Sequence, residues 1–296
     1  MYYPAFIELL IRTVYFKAFQ SLSSKKKKKS KNKISINQLD HIIKDYPINK
    51  GDSLMVHSSL SKIEAQPEII IKYLRSIIGE EGTLLMPTHP KLIKEDGFLK
   101  YDIQKSKSRV GYLTEVFRNS SDVLRSKLPF ASLAISGPKA EEYLKDELYT
   151  NVLPHGKMTP YQKFCLDGGK VLCIGVSAGN RATVKHVPEE VLDDEFILKN
   201  VFIKKNVRIY NDGKFYHELT VRERTEDLIP FLANSRLERD LVKNGIIIKR
   251  TVNDIPIDYL DAKKCYEWML LKAKNGYIRY PYAKYIPKYR ITKAID

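Results

Sequence analysis

The segment Thr183-Val184-Lys185-His186-Val187-Pro188-Glu189 sets an imidazole and a carboxylate three residues apart, which on a helix is one face. A carboxylate beside an imidazole orients the ring and stabilises its protonated form, as a general base working near neutral pH requires. Taken by itself, such a pair is also what a surface ion pair looks like. Pro188 disfavours helical angles in the residue before it but suits a helix's first turn, so the spacing predicts a helix starting at Val187 or Pro188.

Other stretches carry groups that could serve a ligand. In Val56-His57-Ser58-Ser59-Leu60-Ser61 an apolar run passes into a hydroxyl-rich turn. At the carboxyl end of a strand such a turn can hold an amide or a phosphate, or merely cap a helix. Gly82-Thr83-Leu84-Leu85-Met86-Pro87-Thr88 reads as a buried strand ending in a proline turn, and Arg125 and Ser126 with Lys127 concentrate cations and a hydroxyl before another strand. Gly175-Val176-Ser177-Ala178-Gly179 matches the G-x-S-x-G nucleophile elbow of serine hydrolases. A triad would then need His217, which falls inside an apparent hairpin. His89 and the pair His217-Glu218 lack any metal-binding spacing, and structural roles are expected for them. Cys165, Cys173 and Cys265 form neither a disulfide framework nor a zinc pattern, which fits a reducing, cytoplasmic setting.

The elements that must position these groups alternate. Ser53–Val56, Thr83–Met86, Ser132–Ile135 and Lys170–Val176 read as strands, separated by helical patterns at Pro67–Ile78, Tyr112–Phe117 and Lys139–Leu144. Val201–Tyr210 and Phe215–Glu223 flank the turn Asn211-Asp212-Gly213-Lys214 as an antiparallel hairpin. Thr225–Val242 reads helical, Ile246–Val252 extended, and Asp261–Lys274 helical. The fold class is mixed α/β: a central, partly parallel sheet flanked by helices, with an antiparallel hairpin and helices toward the C-terminus.

The chain has 296 residues and a net charge of +16. Residues 1–33 hold nine basic residues against the single acid Glu8, so half of that excess lies in an aromatic and polybasic N-terminal segment, and residues 34–296 form the expected main domain. Glu8, Arg12 and Lys17 interrupt the apolar stretch and exclude a membrane span. Either the segment lies on an anionic membrane face with Lys25–Lys29 at the headgroups, or it packs on the body and the lysines are solvated. The basic body favours anionic partners such as coenzyme A phosphates. Tyr277–Arg290 mixes aromatic and basic residues as single-strand binders do, but without a recognised binding motif no nucleic acid partner is expected.

Taken in order, His57-Ser58-Ser59-Leu60, Gly82–Thr88, Phe117-Arg118, Arg125-Ser126 with Pro129 and Ser132, Thr159-Pro160, Gly175 and Thr183-x-x-His186-x-x-Glu189 resemble the antibiotic (aminoglycoside 3-N-) acetyltransferase family over about residues 35–195. The resemblance implies transfer of an acyl group from acetyl-coenzyme A, or another acyl-coenzyme A, to an amino group of a sugar or aminocyclitol, without metal. It implies His186 as the catalytic base with Glu189 as its supporting acid. It also implies His57, Ser58, Ser59 and Leu60 along the coenzyme A channel with Arg125 and Ser126 nearby, and Thr183 as a carbonyl or oxyanion contact. Family members often show Arg-Ser-x-His-Pro where this chain has Leu128 before Pro129. Because the chain is basic, the expected acceptor is an amino sugar of surface polysaccharide or glycolipid synthesis, handled in the cytoplasm or at the inner membrane face. The alternatives are aminoglycoside resistance, a serine hydrolase and a nucleic-acid-binding module.

Overall fold

The computed structural model describes residues 32–149, 151–195, 198–275, 277, 279–280 and 288. Apart from Asn32 and Lys33, the expectations for residues 1–33 therefore lie outside the described residues.

Helix α1 (Ile36–Ile43) starts at a reciprocal cap: the Ser35 hydroxyl accepts from the Gln38 N–H while Gln38 Oε1 accepts from the Ser35 N–H at 3.0 Å. Strand β1 (Ser53–Ser58) follows, then α2 (Pro67–Ile78), whose first turn Pro67 pre-sets and whose buried stripe is Ile70, Ile71, Leu74 and Ile78. Next come β2 (Thr83–Pro87), β3 (Ile93–Glu95), β4 (Phe98–Asp102), α3 (Tyr112–Arg118), β5 (Leu124–Arg125), β6 (Leu133–Ser136), α4 (Ala140–Leu144), α5 (Pro160–Leu166) and β7 (Lys170–Ile174). The short helix α6 (Ala178–Arg181) leads through a 3₁₀ turn, Thr183–His186, into α7 (Val187–Leu192). The C-terminal part holds β8 (Phe202–Asn211), β9 (Lys214–Arg224), α8 (Asn234–Lys243), β10 (Ile247–Val252), β11 (Ile255–Asp261) and α9 (Ala262–Lys274).

The main sheet has seven strands in the order β10-β11-β7-β1-β2-β6-β5. Its centre is parallel, with Met55 beside both Leu85 and Val171, and the strands outside β7 and β2 run antiparallel. Residue alternation sends Leu54, Val56, Leu84, Leu172 and Ile174 to one face, against α1, α2 and α3. Met55, Leu85, Val171 and Cys173 go to the other, against Tyr161, Phe164, Val184, Cys265 and Met269. Both faces are covered, which is why these strands read as continuous apolar runs.

A second sheet, β3-β4-β8-β9, packs around Tyr101, Val207, Ile209, Leu219 and Val221. The expected hairpin forms here with Asp212 and Gly213 at positive φ in its turn. Thr225–Val242 is not one helix: a 3₁₀ stretch at Glu226–Phe231 precedes α8, since Pro230 has no N–H to give to a continuous ladder. Ile255–Asp261, for which the sequence predicts no strand and whose last residue it places at the start of the following helix, is the strand that joins β10 to the central sheet. Among the described residues no helix is long and apolar enough to cross a membrane.

Candidate active site

A cavity of about 640 Å³ opens at the carboxyl ends of β1, β2 and β7, the edge at which open α/β sheets receive ligands. The end of β1 contributes His57 and Ser58, and the following turn Ser59, Leu60 and Ser61. The end of β2 supplies Pro87 and His89, the start of α3 supplies Tyr112 to Thr114, and the 3₁₀ turn after α6 brings Thr183, Lys185 and His186. Gly175, at φ +72°, lets β7 end against this turn: a Cβ there would sit 2.9 Å from Lys62 Cβ and 3.3 Å from Ser59 Cβ.

His186 lies where two buried networks meet. On one side its ring stacks on His155, with centroids 5.0 Å apart and planes inclined by 27°. His155 is held in turn by Glu190, whose Oε2 accepts the His155 backbone N–H at 2.7 Å and whose Oε1 lies 3.1 Å from His155 Nδ1. On the other side Arg279 Nη1 lies 3.2 Å from His186 Nδ1 and donates to the Lys185 carbonyl at 3.2 Å. Glu189 sits behind this guanidinium, 3.8 Å from Arg279 Nη1 and 2.9 Å from Arg224 Nη1. The Arg224 contact is ionic without hydrogen-bond alignment, and Glu189 Oε2 has no aligned donor. Helix α7 does begin at Val187, but Glu189 reaches His186 only through Arg279.

The second sheet builds part of this site. Asn151 N–H donates to the Thr220 carbonyl and Arg222 N–H to the Val152 carbonyl, so β9 fixes the loop that presents His155 and places Arg224 at its own end.

The ionisation pattern follows from burial. His186 is held well below the ordinary histidine value by desolvation first, then by Arg279, His155, Arg224 and Lys185. Burial, then His89 and the nearby cations, lowers His57 to about 3; burial, then His155 and Arg109, lowers His89 to about 4. Desolvation, with Arg279, brings Lys185 down to about 7. For Glu190, burial pushes upward but His155 and Arg224 outweigh it, so the carboxylate stays below its usual range. His57 Nε2 and His155 Nε2 are buried without a partner; of the two residues, His57 lines the cavity, where a ligand can meet it.

Of the residues singled out from sequence, His57, Ser58, Ser59, Leu60, Thr183 and His186 line the cavity. Arg125 and Ser126 do not. Arg125 Nη1 donates to the carbonyls of Ile103 at 2.9 Å and Ser106 at 2.5 Å, and Nη2 to that of Thr88 at 3.0 Å. Ser126 Oγ accepts from Leu133 N–H and donates to the Leu128 carbonyl. Their expected contact with coenzyme A does not fit a pair so fully spent on backbone. His89, expected to be structural, lines the cavity, whereas His217 is exposed on the hairpin. Ser177 donates to Glu238 Oε1 at 3.0 Å rather than facing an imidazole, which removes the geometric basis of the hydrolase alternative. Among the described residues no group of three or more His, Cys, Asp or Glu side chains is placed to hold a metal ion.

Sequence reasoning missed His155, Glu190, Arg224 and Arg279. Glu190 left a trace as the second acid of Glu189-Glu190, and Arg279 lies in the aromatic and basic stretch Tyr277–Arg290, which pointed to a different chemistry. A sequence profile describing aminoglycoside 3-N-acetyltransferase matches residues 55–271, well over half of the chain. The chain belongs to the aminoglycoside 3-N-acetyltransferase family. It is 32% identical over 147 residues to aminoglycoside N(3)-acetyltransferase IV of Salmonella sp, an alignment covering 48% of this chain and 53% of that protein. It is 25% identical over 248 residues to aminoglycoside N(3)-acetyltransferase VII of Streptomyces paromomycinus, covering 73% and 83%. The chain thus spans about half the length of the first relative and most of the second. The structure of AAC-IIIb in binary complex with CoASH superposes with a TM-score of 0.68 at 20% identity, over 82% of this chain and 97% of that one; this likeness is one of fold. Family membership and mixed α/β class both agree with the ordered motifs. Arg279 lies beyond the residues the family profile matches.

Proposed function

We propose that the protein transfers the acetyl group of acetyl-coenzyme A to an amino group of an aminoglycoside-type amino sugar, with His186 as the base. The observation that carries this reading is the cavity itself: in a chain of this family, the turn His57–Ser61 and the His186 turn face the same space. The hydroxyl-rich turn and the unpartnered His57 Nε2 suit the amides of a pantetheine arm, and the exposed guanidinium groups of Arg109 and Arg181 suit the phosphates.

The acceptor nitrogen attacks the thioester carbonyl, His186 removes its proton, and the C–S bond breaks to release coenzyme A, whose thiolate takes up the proton. A positioned base contributes roughly 10²- to 10⁴-fold. Ser59 and Thr183 are the hydroxyl donors for the oxyanion. The relatives named above are aminoglycoside acetyltransferases, which supports the aminoglycoside acceptor; nothing in them supports the acceptor expected from polysaccharide synthesis.

One observation favours a different acceptor. The described lining includes Arg109, Arg181, Lys185 and Arg279 but no carboxylate, so a polycation finds no counter-charge in it, whereas an amino sugar carrying a phosphate would. The test is coenzyme A release with acetyl-coenzyme A and two acceptor panels, 2-deoxystreptamine aminoglycosides and nucleotide-linked amino sugars. Turnover of the first panel supports the main reading. Turnover confined to the second replaces it, and turnover of both panels by His186→Ala at the native rate removes His186 from the chemistry.

A further inference from the structure

Hydrogen-bond chemistry at His186 leaves little freedom. An arginine guanidinium donates and never accepts, so a nitrogen 3.2 Å from Arg279 Nη1 must offer a lone pair. Nδ1 of His186 is therefore unprotonated, and a neutral imidazole with an open Nδ1 carries its proton on Nε2. The nitrogen left for substrate is then a donor, whereas removing a proton from an acceptor amine needs a lone pair at that position. A base acting through Nε2 would keep its proton on Nδ1 and direct it to an acceptor. The nearest carboxylate on that side, Glu189, is separated from the ring by Arg279 itself.

We propose that Arg279 is a positioning residue that holds His186 as its Nε2–H tautomer in the ligand-free protein, so that base action requires the guanidinium to leave Nδ1. The inference rests on the reading of His186 as the base and adds the group that governs it. Three further features agree. Arg279 lines the cavity, where an entering ligand meets it. Its Nε is buried without a partner, so the side chain is not locked by a full set of bonds. It is contributed by the segment after α9, outside residues 55–271 that match the family profile.

The charged and titratable groups around the ring are Lys185 and Arg279 on the cavity side, Glu189, Glu190 and Arg224 behind it, and the stacked His155. Arg279 is the largest charge influence among them and acts to keep the ring neutral. Replacing it by glutamine removes a positive neighbour, so the imidazole must become easier to protonate.

The test is nitrogen-15 NMR of the full-length protein labelled at histidine, which reports the tautomer without any turnover. The native protein is expected to show His186 with a pyridine-like Nδ1 and a protonated Nε2. Arg279→Gln is expected to lose that preference and to titrate at higher pH, and Arg279→Lys, which keeps a donor and a charge, to stay close to native. In parallel, the acid limb of the kcat/KM profile for acetyl transfer is expected to move to higher pH in Arg279→Gln. A proton on Nδ1 of native His186, or a tautomer unchanged in Arg279→Gln, overturns the proposal. Loss of activity in His186→Ala bears on the base assignment instead, so the two fail separately.

Discussion

Two polar clusters flank the carboxyl end of β2, and they differ in how completely their hydrogen bonds are made. Around Arg125, the guanidinium ends on three backbone carbonyls, Thr88 and Ser132 share their hydroxyls at 2.8 Å, and the Tyr101 hydroxyl donates to the Ser126 carbonyl at 2.8 Å. Around His186, by contrast, His155 Nε2, Glu189 Oε2 and Arg279 Nε are all buried without an aligned partner. Unmade bonds in a buried place carry a cost that a folded protein keeps only where something else uses the groups. The first cluster is a tie between loops; the second is where the proposed function places the substrate. Both were drawn from the same kind of residue in sequence.

The comparison breaks or sharpens through substitution on each side. His186→Ala should lower acetyl transfer by about 10²- to 10⁴-fold with little change in thermal midpoint, measured as coenzyme A release beside a melting curve; a variant of unchanged rate would undo the contrast. Arg125→Met should do the reverse. It strands the Ile103, Ser106 and Thr88 carbonyls and should cost about 3 kcal/mol or more in chemical denaturation, while KM for acetyl-coenzyme A in the folded fraction stays near native.

Glu190 sharpens the picture through pH. Its carboxylate is held below the ordinary glutamate value despite burial, by His155 and Arg224. The stability it contributes is present above the unfolded value, about 4.3, and is lost as pH falls through the folded value. Glu190→Gln should therefore be less stable at neutral pH, yet lose less stability than native on acidification, as urea midpoints across that range would show. The smallest effect is expected from Ser59→Ala. One hydroxyl at the cavity turn should change KM for acetyl-coenzyme A by about 2- to 10-fold and leave stability alone.

What sequence conveyed follows from how local each signal is. Helix α2 occupies the residues expected of it, because Pro67 at its start, the apolar stripe and Gly79 at its end are all encoded within its own length. The hairpin was readable from its Asn-Asp-Gly turn. Strand β11 was not: its turn from β10, Asn253-Asp254, carries no glycine to mark a hairpin, and its other partner, β7, is far away in the chain. The site divides the same way. His57 to Leu60, Thr183 and His186 sit in short motifs at strand ends. His155, Arg224 and Arg279 arrive singly, from a loop, a strand terminus and a segment beyond α9, with no period or spacing to mark them.

That last contribution bears on when the protein can become competent. Helix α9 packs on α7 and on the turn carrying His186, and Arg279 follows α9 in the chain. During synthesis, the parallel centre of the sheet, the serine turn and His186 all leave the ribosome well before Arg279, the residue proposed to set the state of the imidazole. A nascent chain can thus assemble its scaffold early, but its reactive centre takes final form only after translation has passed Arg279.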